Sequence, residues 1–129
     1  MLVDASARLT SLLSELRRLP GILGAEIARR DGILIAHSVP KTMDPKKIAA
    51  MSAAIVGTSE MAATEMGLGS FNHSIVDTDV GKMMATGAGE EAILVTMIRN
   101  DANMGLIHLS VDKAVHAIAG ILRVEEVAA

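Results

Sequence analysis

The chain has 129 residues, the length of one domain, 1–129, and a net charge of −3. It contains no cysteine, which excludes disulfide frameworks, thiol nucleophiles and cysteine-based zinc sites. Basic residues form no run longer than a pair, and Phe71 is the only Phe, Tyr or Trp, so neither the charge nor the stacking groups of a nucleic-acid-binding surface are present. A mean hydropathy of +0.41 predicts an aliphatic core.

The N-terminal segment is predicted to form an amphipathic helix. Either Asp4 or Ser6 can cap its start, and Pro20-Gly21 ends it. Its apolar face consists of Leu9, Leu12, Leu13 and Leu16. Because Asp4 and Arg8 interrupt the apolar residues, the segment is not a secretion signal. We expect a cytoplasmic protein with no membrane insertion.

A β-hairpin is predicted next. Two runs with strand composition, ILGAEIARR and ILIAHS, flank the dipeptide Asp31-Gly32, and such a dipeptide between two strands favours a tight turn. Ile33 to Ala36 is apolar on both faces, which predicts a strand covered on both sides.

A second helix is predicted to begin at Asp44-Pro45, an N-cap followed by proline at the first helical position, and to end around Gly67 to Gly69. Its portion Ile48 to Ser59 carries no charge on any face. A helix that is apolar all round must be covered from more than one side. The sequence therefore predicts a second cover for this helix.

Three more strands and a last helix complete the prediction. The strands are Phe71 to Asp77, Lys82 to Gly87 and Ala92 to Arg99. Leu106 to Val111 has strand-like composition, but one helical stripe continues through it, which favours a single helix from about Ala102 to Glu125. The predicted fold class is α+β in the order α-ββ-α-βββ-α. A five-stranded, mostly antiparallel sheet carries the two terminal helices on one face and the central helix on the other.

The order of elements and their punctuation resemble the Roadblock family, which includes the dynein light chain roadblock and prokaryotic regulators of small Ras-like GTPases. The resemblance is carried by LSELRRLPGILGAEIARRDGILIAHS, by the small-residue central helix and by GEEAILVTMIRNDANMGLIHLSVDKAVHAIAGIL. It covers nearly the whole chain and rests on no single motif.

The resemblance implies a homodimer in which the central helices pack antiparallel and edge strands join two sheets. It also implies that a small Ras-like GTPase binds the face carrying those helices, and it transfers no catalytic arginine. The implied dimer interface comprises Met51, Ala54, Gly57, Thr58, Met61, Phe71, His73 and Ile75. The residues predicted to contact a partner protein are Lys46, Lys47, Ala50, Met51, Ala54 and Glu65.

The residues of the central helix favour dimerisation independently. Small residues allow two helix backbones to approach closely, and Met51 and Met61 can fill irregular gaps between them. These small residues are Ala50, Ala53, Ala54, Gly57 and Thr58. The alternative is a monomer in which the sheet and a long loop cover the helix.

Motifs that could support catalysis or metal binding have simpler explanations. His108, Asp112 and His116 have the spacing of one helix face, but a solvated face with an Asp112 to His116 contact is the favoured interpretation. Isolated histidines in strands, His37 and His73, favour hydrogen-bonded structural roles. We expect no cofactor and no metal.

Glycines and arginines also have simpler explanations. The glycines of ATGAGEEA precede a strand, so they predict a hairpin turn and not a phosphate-binding loop. An arginine supplied in trans can accelerate GTP hydrolysis. Arg29, Arg30 and Arg99 lie at strand ends, where exposed solubilising charge is the favoured role.

The sequence thus predicts a non-enzymatic regulator or scaffold that binds a small GTPase and modulates its nucleotide cycle or location. Two alternatives stay open. One is a structural adaptor that bridges larger proteins without affecting GTP turnover. The other is a small-ligand sensor that uses the space between the sheet and the terminal helices.

Overall fold

The computed structural model describes residues 4–128, with side chains placed through residue 124. Its elements follow the predicted order. They are α1 (Ala5–Arg17), β1 (Ile22–Arg29), β2 (Leu34–Ser38), α2 (Pro45–Glu65), β3 (His73–Asp77), β4 (Gly81–Ala88), β5 (Ala92–Arg99) and α3 (Met104–Ala128). The α-ββ-α-βββ-α prediction is confirmed.

All five strands form one sheet in the order β2-β1-β5-β4-β3, and every neighbouring pair is antiparallel. The β1 and β5 strands occupy the middle, where seven consecutive residues of β5, Ala92 to Ile98, are buried. The edges are β2 and β3. Each edge strand therefore leaves one row of backbone groups without a neighbouring strand among the residues described.

The alternation of side chains along the strands divides the interior into two clusters. On one face α1 and α3 pack on the sheet around a cluster that includes Leu13, Ile27, Leu94, Ile107 and Ile118. On the other face α2 covers a smaller cluster of Ala28, Ala49, Val56, Ala85, Ile93, Val95 and Met97. This separation confirms the predicted placement of the terminal helices opposite the central one.

The turn between α1 and β1 depends on a glycine. Gly21 has φ +94°, and a Cβ there would lie 2.3 Å from the Cβ of Ala102. Both the left-handed backbone and the close approach require the absence of a side chain. Gly21 thereby brings the N-terminal helix close to the loop that precedes α3.

The segment from Met104 onward is a helix, as predicted, and its strand-like stretch packs on the sheet. Residues spaced three or four apart lie on its buried face: Ile107, Val111, Ala114, Ile118 and Ile121. By length and composition alone, the stretch Met104–Val124 is also apolar enough to cross a membrane. Because its buried face belongs to the core of the domain, packing on the sheet explains that composition.

The predicted end of α2 around Gly67 agrees with its cap at Met66, which Gly67 with φ +65° follows. Two local predictions differ from the structure. The third strand begins at His73 instead of Phe71. Ile33, expected to be covered on both sides, is 54% exposed. Ile33 lies just before β2, which is itself an edge strand, so Ile33 lacks the two-sided cover that its apolar composition suggested.

Candidate interaction surface

The α2 helix begins at a capped N-terminus. The Asp44 side chain accepts hydrogen bonds from the backbone nitrogens of Lys46 and Lys47 at 3.1 and 3.4 Å, and Pro45 occupies the first turn. A carboxylate at this position satisfies backbone groups that have no partner within the helix. The cap therefore fixes where the charge-poor part of the helix starts.

One side of α2 packs on the sheet and the opposite side faces solvent. Ala49, Ser52 and Val56 are buried. On the other side Met51 is 57% exposed and Met61 is 71% exposed. Ala54, Gly57 and Thr58 lie between them and are also exposed. No part of the described chain covers this row of residues, which we call the α2 outer face.

The polar atoms of the α2 outer face are satisfied by the helix itself. The Thr58 hydroxyl donates to the carbonyl oxygen of Ala54 at 2.8 Å, and the Thr64 hydroxyl donates to that of Glu60 at 3.1 Å. Such bonds to the preceding turn use the hydroxyl donor locally. These hydroxyl groups therefore donate within the helix, and the α2 outer face offers few free hydrogen-bond donors to a partner.

The β3 edge lies directly beside α2. The hydroxyl oxygens of Ser59 on α2 and Ser74 on β3 are 2.7 Å apart, and β3 pairs with β4 on its inner side. Ile75 and Val76 are each 40% exposed. The α2 outer face and the free edge of β3 are therefore neighbouring apolar surfaces.

Two of the residues predicted for a dimer interface also make contacts within the monomer. Phe71 is half-buried and packs against the cluster under α2. The His73 ring lies on the opposite face of the sheet, with its centroid 5.1 Å from that of His108. The sequence suggested that His73 is isolated, whereas the structure places a second imidazole, that of His108, beside it.

The residues predicted to contact a partner protein occupy both ends of α2. Lys46, Lys47 and Ala50 are exposed near its start and Glu65 is exposed at its end. The structure brings Ala50, Met51 and Ala54 onto consecutive turns of one helix. The N-terminal end of this surface carries positive charge and the C-terminal end carries a carboxylate.

The three arginines predicted to be exposed solubilising charges differ. Arg29 pairs with Asp31 and Arg99 with Asp101, and all four side chains are at least half exposed. Arg30 is instead mostly buried, and its Nη1 donates to Oε1 of Glu60 at 2.7 Å. The predicted role as an exposed charge is wrong for Arg30, because its guanidinium forms an ion pair with Glu60 of α2.

A buried carboxyl group beneath α2 was not singled out from the sequence. Glu26 is fully buried in β1, and neither of its carboxyl oxygens has a hydrogen-bond partner among the described residues. Burial, and to a smaller extent the charge of Asp44, raises the pKa of Glu26 to about 8. The signal that could have indicated its burial is its place within ILGAEIA, an otherwise uncharged run of a strand that is covered on both faces.

The histidine and glycine motifs singled out from the sequence have simple structural settings. Among the described residues, no group of three or more His, Cys, Asp or Glu side chains is placed to hold a metal ion. A ring nitrogen of His116, Nδ1, lies 2.7 Å from the backbone oxygen of Asp112, so their contact involves the main chain and not the carboxylate. The glycine-containing segment after β4 leads into β5, as predicted for a hairpin turn.

Comparison with known proteins identifies relatives along most of the chain. Residues 9–97 match the Roadblock/LC7 domain. Two proteins of Methanocaldococcus jannaschii, the uncharacterized proteins MJ1340 and MJ0310, are each 33% identical over 107 residues. These matches cover 83% of this chain and 93% of each relative.

Solved structures share the fold at lower sequence identity. The gliding protein MglB of Thermus thermophilus is 24% identical with a TM-score of 0.83, and the alignment covers 94% of this chain and 93% of that chain. Myxococcus xanthus MglB is 18% identical with a TM-score of 0.86, covering 95% and 93% of the two chains. A Roadblock/LC7 domain of Streptomyces avermitilis is 18% identical with a TM-score of 0.83, covering 88% and 97%.

Proposed function

Because this chain belongs to the Roadblock/LC7 domain family, we propose that it is a homodimeric, non-enzymatic regulator or scaffold of a small Ras-like GTPase. The observation that carries the proposal is the uncovered α2 outer face. Met51 and Met61 are largely exposed on a helix whose outer surface offers few hydrogen-bonding groups. An apolar surface of this kind on a folded domain typically marks a protein interface.

Self-association supplies the cover that the α2 outer face lacks. Burying a methionine side chain that is otherwise in water contributes roughly 1.5 to 3 kcal/mol. The exposed Ala54, Gly57 and Thr58 let two copies of the helix approach closely. The flexible methionines then fill the remaining gaps. Met51, Ala54, Gly57, Thr58 and Met61 form the helical half of the proposed dimer interface.

The β3 edge provides the other half of the interface. A free strand edge presents unpaired backbone groups that a second strand can satisfy. Because Ser59 and Ser74 join α2 to β3, one two-fold axis can pair both elements with their symmetry copies. Phe71, His73 and Ile75 lie at or beside this edge. A solved MglB structure is described as having a tetrameric arrangement, which supports self-association as a property to test.

The GTPase is proposed to bind where the paired helices are exposed. In an antiparallel pair, Lys46 and Lys47 of one copy lie toward the same end as Glu65 of the other copy. The pair thus presents positive and negative charge beside the small residue Ala50. Such a surface suits a partner with complementary charges, because charge pairs at the rim steer association.

Two measurements test the proposal. Sedimentation velocity is expected to show a dimer at micromolar concentration, and a monomer would contradict the dimeric part. Binding of a purified Ras-like GTPase from the same cell, loaded with GDP or a non-hydrolysable GTP analogue, tests the partner. The double variant Lys46→Glu/Lys47→Glu should weaken binding, whereas Lys113→Glu, on α3 at the opposite face, should not.

A hydrolysis and nucleotide-exchange assay with the same GTPase separates regulation from scaffolding. A changed rate of either step indicates a regulator. Binding with both rates unchanged indicates a scaffold that sets the location of the GTPase. Failure of every such GTPase to bind would leave a structural adaptor as the better interpretation.

A further inference from the structure

A polar cleft lies where β3 stops short of β4. The register pairs His73, the first residue of β3, with Thr86 of β4, so Gly87 and Ala88 extend beyond the shorter strand. The cleft has a volume of about 520 Å³ and is closed on one side by α3. It is separate from the α2 outer face, since α3 packs on the opposite face of the sheet.

A buried hydrogen-bonding group in the cleft wall lacks a partner within the described chain. The Thr86 hydroxyl oxygen is buried and unpaired, and the residue as a whole is only 8% exposed. Arg30 also lines the cleft, but its guanidinium packs against Gly87 on the α2 face of the sheet, where Glu60 and the Gly89 carbonyl oxygen engage Nη1 and Nη2 at 2.7 and 3.1 Å. A buried group without a partner is costly, so the Thr86 hydroxyl favours a ligand that offers it a hydrogen bond.

Two imidazole rings face the same cleft. The ring centroids of His73 and His108 are 5.1 Å apart, and the ring planes are inclined by 49°. His108 reaches the cleft from α3, whereas His73 lies opposite Thr86 in the sheet. Each ring can donate at least one hydrogen bond. The cleft therefore combines hydrogen-bonding groups from β3, β4 and α3.

We propose that this cleft binds a small oxyanion, a phosphate or carboxylate group, held by the Thr86 hydroxyl and the imidazoles of His73 and His108. These groups share the capacity to donate, and an oxyanion offers several acceptor oxygens at once. The carboxylate of Asp112 also lines the cleft. Because it repels negative charge, it favours a singly charged anion over a doubly charged one.

The proposal is tested by titrating the full-length protein with inorganic phosphate, followed by NMR chemical shifts. A parallel titration uses sodium acetate, and sodium chloride at equal ionic strength controls for screening. Saturable shifts at Thr86 and His108 with phosphate or with acetate support the site and identify the anion it prefers. Shifts that are absent, or that chloride reproduces, overturn it and indicate that solvent satisfies these groups.

Variants distinguish the cleft from nonspecific anion binding. Thr86→Val preserves shape but removes the hydroxyl, and it should weaken binding about tenfold or more, the usual effect of a hydrogen bond to a charged group. Thr86→Ser should bind nearly as wild type. His108→Ala should weaken binding, whereas His116→Ala, an exposed histidine outside the cleft on the same helix, should not. Equal affinities for Thr86→Val and wild type would overturn the proposal.

The outcome can be distinguished from that of the proposed function. His73 belongs both to the cleft and to the proposed dimer interface, whereas Thr86 and His108 belong to the cleft alone, so sedimentation of the Thr86 and His108 variants should match that of wild type. Loss of anion binding with the dimer intact supports the cleft alone. A monomeric wild type that binds the anion saturably would support the cleft while contradicting the dimer.

Discussion

Arg30 and Glu60 connect the end of β1 to the middle of α2. The guanidinium Nη1 lies 2.7 Å from Oε1 of Glu60, and the arginine side chain is 27% exposed. The same arginine lines the cleft beside α3. Arg30 therefore contacts both the helix proposed for dimerisation and the cleft proposed to bind an anion.

Glu60→Gln is expected to lower the free energy of unfolding by about 1 kcal/mol, because the charged pair is only partly shielded from solvent. Urea unfolding measures this change. Glu65→Gln is the matched control, since Glu65 is exposed at the end of the same helix and its replacement should alter stability by less than about 0.5 kcal/mol. Equal effects of the two substitutions would contradict a stabilising contact to Arg30.

Met61→Lys is expected to shift the proposed dimer toward monomer or aggregate. In the proposed dimer Met61 would be buried, and a lysine there would bury an unpaired charge. In the monomer Met61 is 71% exposed, so its replacement should leave the folded subunit intact. Leu109→Lys is the control, because Leu109 is 56% exposed on α3 and outside the proposed interface. A dimer unchanged by Met61→Lys in sedimentation would exclude this part of the interface.

Gly57→Leu tests the close approach of two helices. A Cβ at Gly57 would meet no heavy atom within 4 Å, and the same is true of Gly120 in α3. Leucine is a better helix former than glycine by up to about 1 kcal/mol, so neither substitution should destabilise the monomer. Only Gly57→Leu is expected to weaken the dimer, measured as a higher dissociation constant. Equal dissociation constants for both variants would contradict tight packing at Gly57.

The fold could be predicted largely because its signals are local. Asp31-Gly32 marks the first hairpin, and Asp44-Pro45 marks the start of α2. The apolar stripe of α3 correctly outweighed the strand-like composition of Leu106 to Val111. Ile33 was misjudged because apolar composition reveals neither where β2 begins nor that β2 lies at an edge, and both depend on the pairing of strands.

The cleft could not be predicted, since its groups come from separate parts of the chain. Thr86, His73 and His108 meet only after the β3–β4 register and the packing of α3 are established. Arg30 illustrates the same limit. Its sequence position at a strand end suggested exposure, whereas a contact with Glu60, thirty residues away, determines its burial.

The buried Glu26 should make stability depend on pH. In the sheet register Glu26 lies opposite His37 of β2 and Val95 of β5, with Asp44 of the α2 cap nearby. Burial raises the pKa of Glu26 to about 8 in the folded protein, compared with about 4.3 for an unperturbed glutamate. The folded state thus retains a proton that the unfolded state has already released. Stability contributed by this group is present below about pH 4 and decreases as pH rises toward 8.

Glu26→Gln removes that dependence, because the amide stays neutral at every pH. Between about pH 5 and 8, the wild-type protein should lose up to about 1.4 kcal/mol per pH unit relative to this variant. Urea unfolding at several pH values measures the difference. Glu90→Gln, an exposed carboxylate in the β4–β5 turn, should parallel wild type throughout. Parallel curves for Glu26→Gln and wild type would show that the Glu26 carboxyl ionises as readily in the folded protein as in the unfolded chain.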